Sequence, residues 1–233
     1  MLRRDKEDKT MLGFMKDFVV VPLTWPDVDQ TGTISSDIIS LKNYSHVDFV
    51  IKVGTAIGKA AAVTLNKSAA VAAATVALAF SRYYSTGFRL KYTTPSVDTP
   101  AAKDETILGG SGSGRGTIYL DTGTELICHS YNETTFVDGE TVTCSGGKTV
   151  VASGIQIDED IMIPRTAASN TFDLAAVAKK QYIIPIDAAD LLDGYDCAQV
   201  EIADCDTATY ITIDAILSSP HYMDEIAKTA LYD

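Results

Sequence analysis

The sequence predicts a mainly β protein: an antiparallel β-sandwich or jelly-roll-like body with a β-rich insertion and an extended N-terminal arm. In residues 46–54 apolar side chains alternate with polar ones, the pattern of a strand with one solvent-facing side. Residues 208–217 alternate in the same way, and the predicted core face of this strand carries Ile211, Ile213, Ala215 and Leu217. Many further short β-like segments are separated by turn residues, which favours a sandwich over an α/β fold.

The composition is that of a globular domain. Of 233 residues, 46% are hydrophobic and 21% are charged, which excludes a disordered protein. The length fits one large domain or one domain that carries an insertion.

The net charge excludes two classes of partner. The chain has 31 acidic and 19 basic residues, so its net charge is −12, and such a surface repels phosphate. We therefore expect neither nucleic acid nor an anionic membrane as a partner. The most apolar stretch, residues 60–80, is interrupted by Asn66, Lys67 and Ser68, and it does not resemble a transmembrane helix. No secretory signal is evident near the start, which predicts synthesis in the cytoplasm.

Shifts in composition along the chain predict its division into an arm, a sandwich body and an insertion. Residues 1–32 form the arm, residues 33–92 and 166–233 the sandwich body, and residues 93–165 the insertion. Within the body, residues 33–41 and 46–54 flank a tight connection, and residues 60–80 form two strands with a break at 66–68. Residues 197–202 and 208–217 are predicted to form a strand pair.

A glycine-rich run lies inside the insertion, at residues 109–116. It matches neither of the two glycine-rich nucleotide motifs, and the strand-like residues 117–120 follow it where a phosphate site would need a helix N-terminus. We interpret the run as a flexible linker.

No local motif supports catalysis. The three histidines, His46, His129 and His221, have no nearby serine or cysteine at a spacing that would pair them, so we expect no enzyme activity and no catalytic residue. The four cysteines are interpreted as buried structural thiols, with a Cys128–Cys144 hairpin disulfide as the alternative.

Four aspartates recur every third residue at Asp187, Asp190, Asp193 and Asp196. The calcium-loop signature is absent, so we interpret these acids as caps of a one-turn helix that ends at Gly194, with a calcium site as the alternative. We expect no cofactor and no metal.

About half of the amino-acid sequence resembles that of a family of small tailed-bacteriophage structural proteins. The segments that carry the resemblance are IISLKNYSHVDFVIKVG at 38–54, SNTFDL at 169–174, YIIPIDA at 182–188, LDGYDC at 192–197 and AILSSPHY at 215–222, with shorter matches at 62–65, 77–80 and 83–84.

The resemblance implies a virion structural protein, in first place a capsid decoration (cement) protein. Such a protein binds the major capsid protein between capsomers on the outer surface of the head, commonly as a homotrimer. In the arm, Phe14, Phe18 and Trp25 are the predicted partner-contact residues, since aromatic anchors dominate protein interfaces; the alternative is that Trp25 closes the domain's own core. The alternative functions are a tail tube, head-completion or fibre-base subunit, or a carbohydrate-binding sandwich module.

Overall fold

The computed structural model describes residues 18–25, 32–55, 57–72, 74–93, 95–97, 99–110, 114–130, 136–156, 161–168, 170–176, 178–206 and 208–220. It is nearly all β, and its sheets are antiparallel, so the predicted mainly β, sandwich-like fold is confirmed. The strands are β1 (Phe18–Pro22), β2 (Ile34–Ser35), β3 (Ile39–Ser40), β4 (Tyr44–Val53), β5 (Ala61–Ser68), β6 (Val76–Ala77), β7 (Arg82–Thr93), β8 (Thr106–Gly109), β9 (Arg115–Asp121), β10 (Glu125–Ser130), β11 (Thr141–Cys144), β12 (Thr149–Gln156), β13 (Met162–Thr166), β14 (Phe172–Leu174), β15 (Lys180–Asp187), β16 (Cys197–Ile202) and β17 (Ile211–Pro220). A 3₁₀-helix spans Ala188–Leu191.

The chain divides into two compact units. Unit 1 comprises Met1–Tyr83 and Thr166–Asp233, and unit 2 comprises Tyr84–Arg165. The predicted insertion started at residue 93, whereas unit 2 starts at Tyr84. The reason lies in β7, whose residues Gly87 to Lys91 already pair with β10 of unit 2.

Unit 1 contains two antiparallel sheets. The first has the strand order β1-β17-β4-β15, and the second has the order β14-β5-β16-β2, with β3 also on β16 and β6 also on β5. One apolar core unites buried residues from both sheets, among them Phe49, Ile51, Ile184, Ile213, Val63, Leu65, Val200 and Ile202. Fully burying a side chain of this size stabilises the fold by about 1.5–3 kcal/mol.

Alternation in β4 and β17 positions this core, as the sequence predicts. Val47, Phe49, Ile51 and Val53 of β4 are buried, and so are Ile211, Ile213, Ala215 and Leu217 of β17. The two strands pair in register, with Ile51 opposite Ile213 and Phe49 opposite Ala215. The intervening residues of both strands therefore form the opposite, outer face of the first sheet.

Two sequence expectations about the strands of unit 1 are wrong. The segments at 197–202 and 208–217 do not pair, because β16 pairs with β5 and β17 pairs with β4 and β1. Residues 60–80 do form two strands, but the break follows Ser68. The predicted tight connection between 33–41 and 46–54 is confirmed, since Tyr44 N–H donates to the carbonyl oxygen of Leu41 at 3.0 Å. The strands on either side of it lie in different sheets, because β2 and β3 pair with β16.

The side chains of Asn66 and Lys67 belong to the continuous strand β5 and explain why it does not break there. Asn66 donates to Glu201 of β16 at 3.2 Å, and buried Lys67 donates to the carbonyl oxygen of Leu191 at 2.7 Å. The Lys67 ammonium also lies 4.6 Å from the ring centroid of Tyr195. Asn66 and Lys67, which the sequence indicated as turn residues, therefore connect β5 to β16 and to the 3₁₀-helix through hydrogen bonds.

In unit 2 the strands form a closed antiparallel ring. The pairings run from β7 to β10, β9, β8, β11 and β12, and β12 pairs back onto β7. The apolar residues on the inner faces form a second core, with Phe88, Leu90, Ile107, Ile118, Leu126, Cys128, Val142, Cys144 and Val150 among them. Closure leaves no unpaired edge along this ring of strands.

The glycine-rich run connects two paired strands of this ring. Gly109 ends β8, Arg115 begins β9, and β8 pairs with β9, so the run joins the two strands of a hairpin; residues 111–113 within it lie outside the described residues. At Gly116 an added Cβ would lie 2.9 Å from Cζ of Phe88, so the absence of a side chain there lets the ring of Phe88 pack inside.

Candidate contact surface

Two of the three predicted contact residues, Phe18 and Trp25, are located at one edge of unit 1. Phe14 lies outside the described residues. Phe18 begins β1 and Trp25 follows its end; their exposed fractions are 37% and 68%. Trp25 therefore does not close the core of the domain, which was the alternative interpretation.

The sequence analysis expected residues 1–32 to form an extended arm. Residues 1–17 and 26–31 lie outside the described residues, and residues 18–22 form a strand of unit 1. β1 pairs with β17 over its whole length, from Phe18 opposite Ser218 to Pro22 opposite Asp214. Its register continues past the strand, because Leu23 N–H donates to Ile213 O at 2.8 Å and Ile213 N–H donates to Thr24 Oγ1 at 2.8 Å. β1 is therefore an integral edge strand of the sandwich.

Val20 was not among the predicted contact residues; it is 53% exposed and lies between Phe18 and Trp25 in the sequence. Val21 is buried, so the alternation along β1 places Phe18 and Val20 together on the outer face of the sheet. Val20 is directly opposite Ile216 of β17, and Ile216 is directly opposite Asp48 of β4. A period-two count from the Val19–Val21 run would have found Val20, had the segment been treated as a strand rather than as an arm.

Together Phe18, Val20 and Trp25 form what we call the β1 surface. It contains no charged side chain, and it is bordered on the outer face of the sheet by Asp48 and Asp214. Lys52 donates to Asp214 at 2.9 Å, while more than half of the lysine side chain stays exposed.

On the same outer face His46 lies between two carboxylates. Its Nδ1 is 2.7 Å from Asp187 Oδ1, and its Nε2 is 3.2 Å from Asp48 Oδ1. Burial alone would lower the pKa of His46, but the hydrogen bonds and charges of Asp187 and Asp48 outweigh it and raise this pKa above its ordinary value. Only the doubly protonated ring can donate at both nitrogens, so His46 acts here as an ion-pair clamp.

The register also places Ser218 opposite His46, on the side away from Asp187. This row has the residue types of a serine-hydrolase triad. Among the described contacts, however, His46 Nε2 meets Asp48 and not Ser218. A ring that donates from both nitrogens has no lone pair left to accept a serine proton, so this arrangement does not activate Ser218.

The other two histidines do not join this cluster. His129 belongs to unit 2, where it is buried, and Nδ1 of its ring has no hydrogen-bond partner among the described residues. Burial, with Arg165 nearby, lowers the pKa of His129 to about 4, so the ring is neutral at pH 7. His221 lies outside the described residues.

The charged groups inside unit 2 form a compact network at one end of the ring. Lys148 Nζ is 2.8 Å from Asp121 Oδ2, and the Tyr92 hydroxyl donates to Asp121 Oδ1 at 2.7 Å. Backbone N–H groups of Ala101 and Gly123 donate to the same carboxylate. Burial alone would raise the pKa of Asp121, but these donors, led by Lys148, hold this pKa below its ordinary value. The network satisfies buried polar groups, and its role is structural.

All four cysteines are buried and free, so the Cys128–Cys144 disulfide is not formed. Burial raises the pKa of the Cys144 and Cys197 thiols to about 11 and also raises the pKa values of Cys128 and Cys205, which keeps the thiols protonated. Thiols in this state are poor nucleophiles and poor metal ligands.

The predicted short helix is present and two of the four aspartates lie at its start, but it ends at Leu191 with Leu192 as its C-cap, and not at Gly194. Asp187 is the N-cap of the 3₁₀-helix, and its N–H donates to the Asp190 carboxylate at 3.1 Å. Within the described ranges, no group of three or more His, Cys, Asp or Glu side chains is placed to hold a metal ion. In the same ranges no helix has the length and apolarity needed to cross a membrane.

No protein-family model matches this chain, and no curated protein matches it.

Proposed function

We propose that this protein is a capsid decoration (cement) protein of a tailed bacteriophage. It would bind the major capsid protein between capsomers on the outside of the head and stabilise the shell. The observation that carries the proposal is the β1 surface, three exposed, uncharged apolar side chains on and just after an edge strand of the sandwich. The resemblance of the sequence to phage structural proteins supports the same assignment.

The β1 surface has the chemistry of a protein contact. Aromatic residues are enriched among the side chains that dominate binding energy at interfaces, and Trp is foremost among them. Trp25 is the single tryptophan of the chain and stands 68% exposed. Two further exposed apolar side chains, Phe18 and Val20, extend the patch along the strand.

The charge of the chain favours the outer surface of the shell over its interior. A net charge of −12 repels packaged nucleic acid, so contact with the inner face of a filled head would cost electrostatic free energy. A position on the outer face avoids this repulsion.

The test measures binding to shells directly. Purified protein is mixed with capsid shells of the parent virus that were assembled without it, and occupancy and resistance of the shells to heat are recorded. We expect saturable binding and a gain in heat resistance. Trp25→Ala should weaken binding by about 1–3 kcal/mol, the range of an interface anchor.

A matched control is available in unit 1. Leu192 is 67% exposed, almost the same as Trp25, but it follows the 3₁₀-helix and lies outside the β1 surface. Leu192→Ala should leave occupancy unchanged. Absence of saturable binding by the unmodified protein would overturn the proposal, and a trimer in solution would support its homotrimeric form. A hexameric ring would favour the tail-tube alternative.

A further inference from the structure

β1 is longer than the edge strands of the second sheet of unit 1. At the margins of the second sheet the described strands are very short, with two residues each in β2, β3 and β6 and three in β14. β1 has five residues, and no described strand pairs with its second edge. Short edge strands are one of the means by which proteins prevent unwanted strand pairing, and β1 lacks this protection.

The backbone of Val20 points toward that second edge. In an antiparallel pair the residues alternate between those that bond to the partner strand and those that point away from it. Leu23 bonds to Ile213, so Val21 and Val19 also face β17, and Val20 faces outward. Among the described residues no contact satisfies the N–H and C=O groups of Val20.

Among the described residues, two further protective features are missing. The pairing of β1 with β17 contains no register shift, so no bulge bends the edge away. The strand has the sequence FVVVP and carries no charge. Pro22, which has no N–H, ends the strand on its C-terminal side.

The charge around β1 indicates what kind of strand fits. Asp214 of β17, the strand beside β1, lies opposite Pro22 and accepts a hydrogen bond from Lys52, and Asp48 lies one strand further in, on β4. The whole chain carries −12, which favours a basic segment over a second copy at this edge. An incoming segment that alternates apolar residues with lysine or arginine would cover Phe18 and Val20 and match this negative charge.

We propose that β1 is a strand-addition site, at which an extended, basic segment of the shell protein pairs with the open edge and continues the sheet. This inference rests on the proposed decoration function and specifies how the contact is made. Main-chain hydrogen bonds to Val20 give the attachment, and Phe18 and Val20 contribute apolar contact.

Val20→Pro tests the backbone contact separately from the side chain. Proline removes the outward N–H of residue 20, and edge strands accept proline where the N–H faces solvent. Val20→Thr is the control, since it keeps the N–H and the branched shape. We expect shell binding to weaken about tenfold or more with Val20→Pro, from the lost hydrogen bond and the clash with the added strand, and to change by less than about threefold with Val20→Thr.

The fold of each variant is checked by its urea midpoint. Val21→Pro serves as the reference for a destabilised fold, because it removes an N–H that faces β17. It should lower the urea midpoint much more than Val20→Pro does. Amide hydrogen exchange on the unmodified protein gives an independent readout. Exchange at Val20 should slow when the protein binds shells, and binding should weaken as salt is raised.

Each outcome bears on a different claim. If the unmodified protein binds shells but Val20→Pro binds equally well and the Val20 amide is not protected, strand addition is wrong while the decoration function stands. Equal losses with proline and threonine would mean that the side chain alone makes the contact, which also overturns the inference. Protection of Val20 that rises with protein concentration in the absence of shells would replace the shell protein by a second copy. No shell binding at all would overturn both proposals.

Discussion

His46 Nδ1 lies 2.7 Å from Asp187 Oδ1, and this contact joins the start of β4 to the end of β15. The second ring nitrogen of His46 meets Asp48 two residues along its own strand. The clamp therefore combines one cross-strand ion pair with one local ion pair, and both depend on the proton of a single imidazole.

The pKa of His46 is raised in the folded protein, which fixes the sign of its pH dependence. Its stabilisation is fully present below the ordinary histidine pKa of about 6.5 and is lost as the pH rises through the higher folded-state pKa. His46→Gln should therefore destabilise the protein more at pH 5.5 than at pH 9, by a few tenths to about 1 kcal/mol, since the groups are partly exposed. Urea unfolding of both proteins at the two pH values measures this difference. In Asp187→Asn the effect of His46→Gln should shrink, whereas an equal cost at both pH values would contradict the clamp.

The effect of His129 on stability has the opposite pH dependence to that of His46. The pKa of His129 is lowered to about 4 in the folded protein. Between this value and the ordinary pKa of about 6.5, the unfolded chain therefore binds a proton at this histidine and the folded protein does not. Stability should fall as the pH drops from about 6.5 to about 4, with a total loss on the order of 3 kcal/mol from this group. His129→Phe keeps an aromatic ring but cannot be protonated, so the slope of unfolding free energy against pH in this window should become shallower. An unchanged slope would show that water or a rearrangement reaches the ring.

Lys148 and Asp121 form a buried ion pair, whereas Lys52 and Asp214 form an exposed pair at nearly the same distance. Lys148→Met leaves the Asp121 carboxylate buried without its cation, which should cost about 3–5 kcal/mol. Lys52→Met is the matched control and should cost less than about 1 kcal/mol.

The buried thiols can report how Lys148→Met and Lys52→Met change the stability of each unit, because each unit contains two cysteines. Cys128 and Cys144 report unit 2, and Cys197 and Cys205 report unit 1. Pulsed thiol labelling along a urea gradient, read by mass spectrometry, should show the unit 2 thiols of Lys148→Met reacting at lower urea than those of the unmodified protein. Equal shifts for Lys148→Met and Lys52→Met would contradict the importance of burial.

The strands themselves were predictable because alternation is a local signal. The core faces of β4 and β17 follow directly from period-two patterns in which every second residue is apolar. Their partners were not predictable in the same way. β16 and β17 are neighbours in sequence, and only the packing of two sheets decides that they diverge.

The β1 surface was likewise predictable in its residue types but not in its position in the sheet. Phe18 and Trp25 were recognised from residue type, but their place on a paired edge strand depends on β17, nearly two hundred residues further along the chain. His46 and Asp187 were each noticed separately in the sequence. Their contact arises from the register between β4 and β15, which no local pattern encodes.

Gly87 gives a last test of packing in unit 2. A Cβ added there would lie 2.8 Å from the carbonyl oxygen of Cys128, and it would overlap the Ile163 side chain of β13. The backbone oxygen cannot move without disturbing the pairing of β7 with β10, so Gly87→Ala should cost about 1–3 kcal/mol.

Gly54→Ala is the control for this substitution. Its added Cβ would meet Tyr210 at 3.4 Å, an ordinary contact, and we expect a change within about 0.5 kcal/mol in unfolding free energy. Shortening Ile163 to alanine should relieve only part of the cost at Gly87, because the Cys128 carbonyl remains in place. Full relief in the double variant would mean that β13 alone requires the glycine, and the close approach of β10 would then carry no cost.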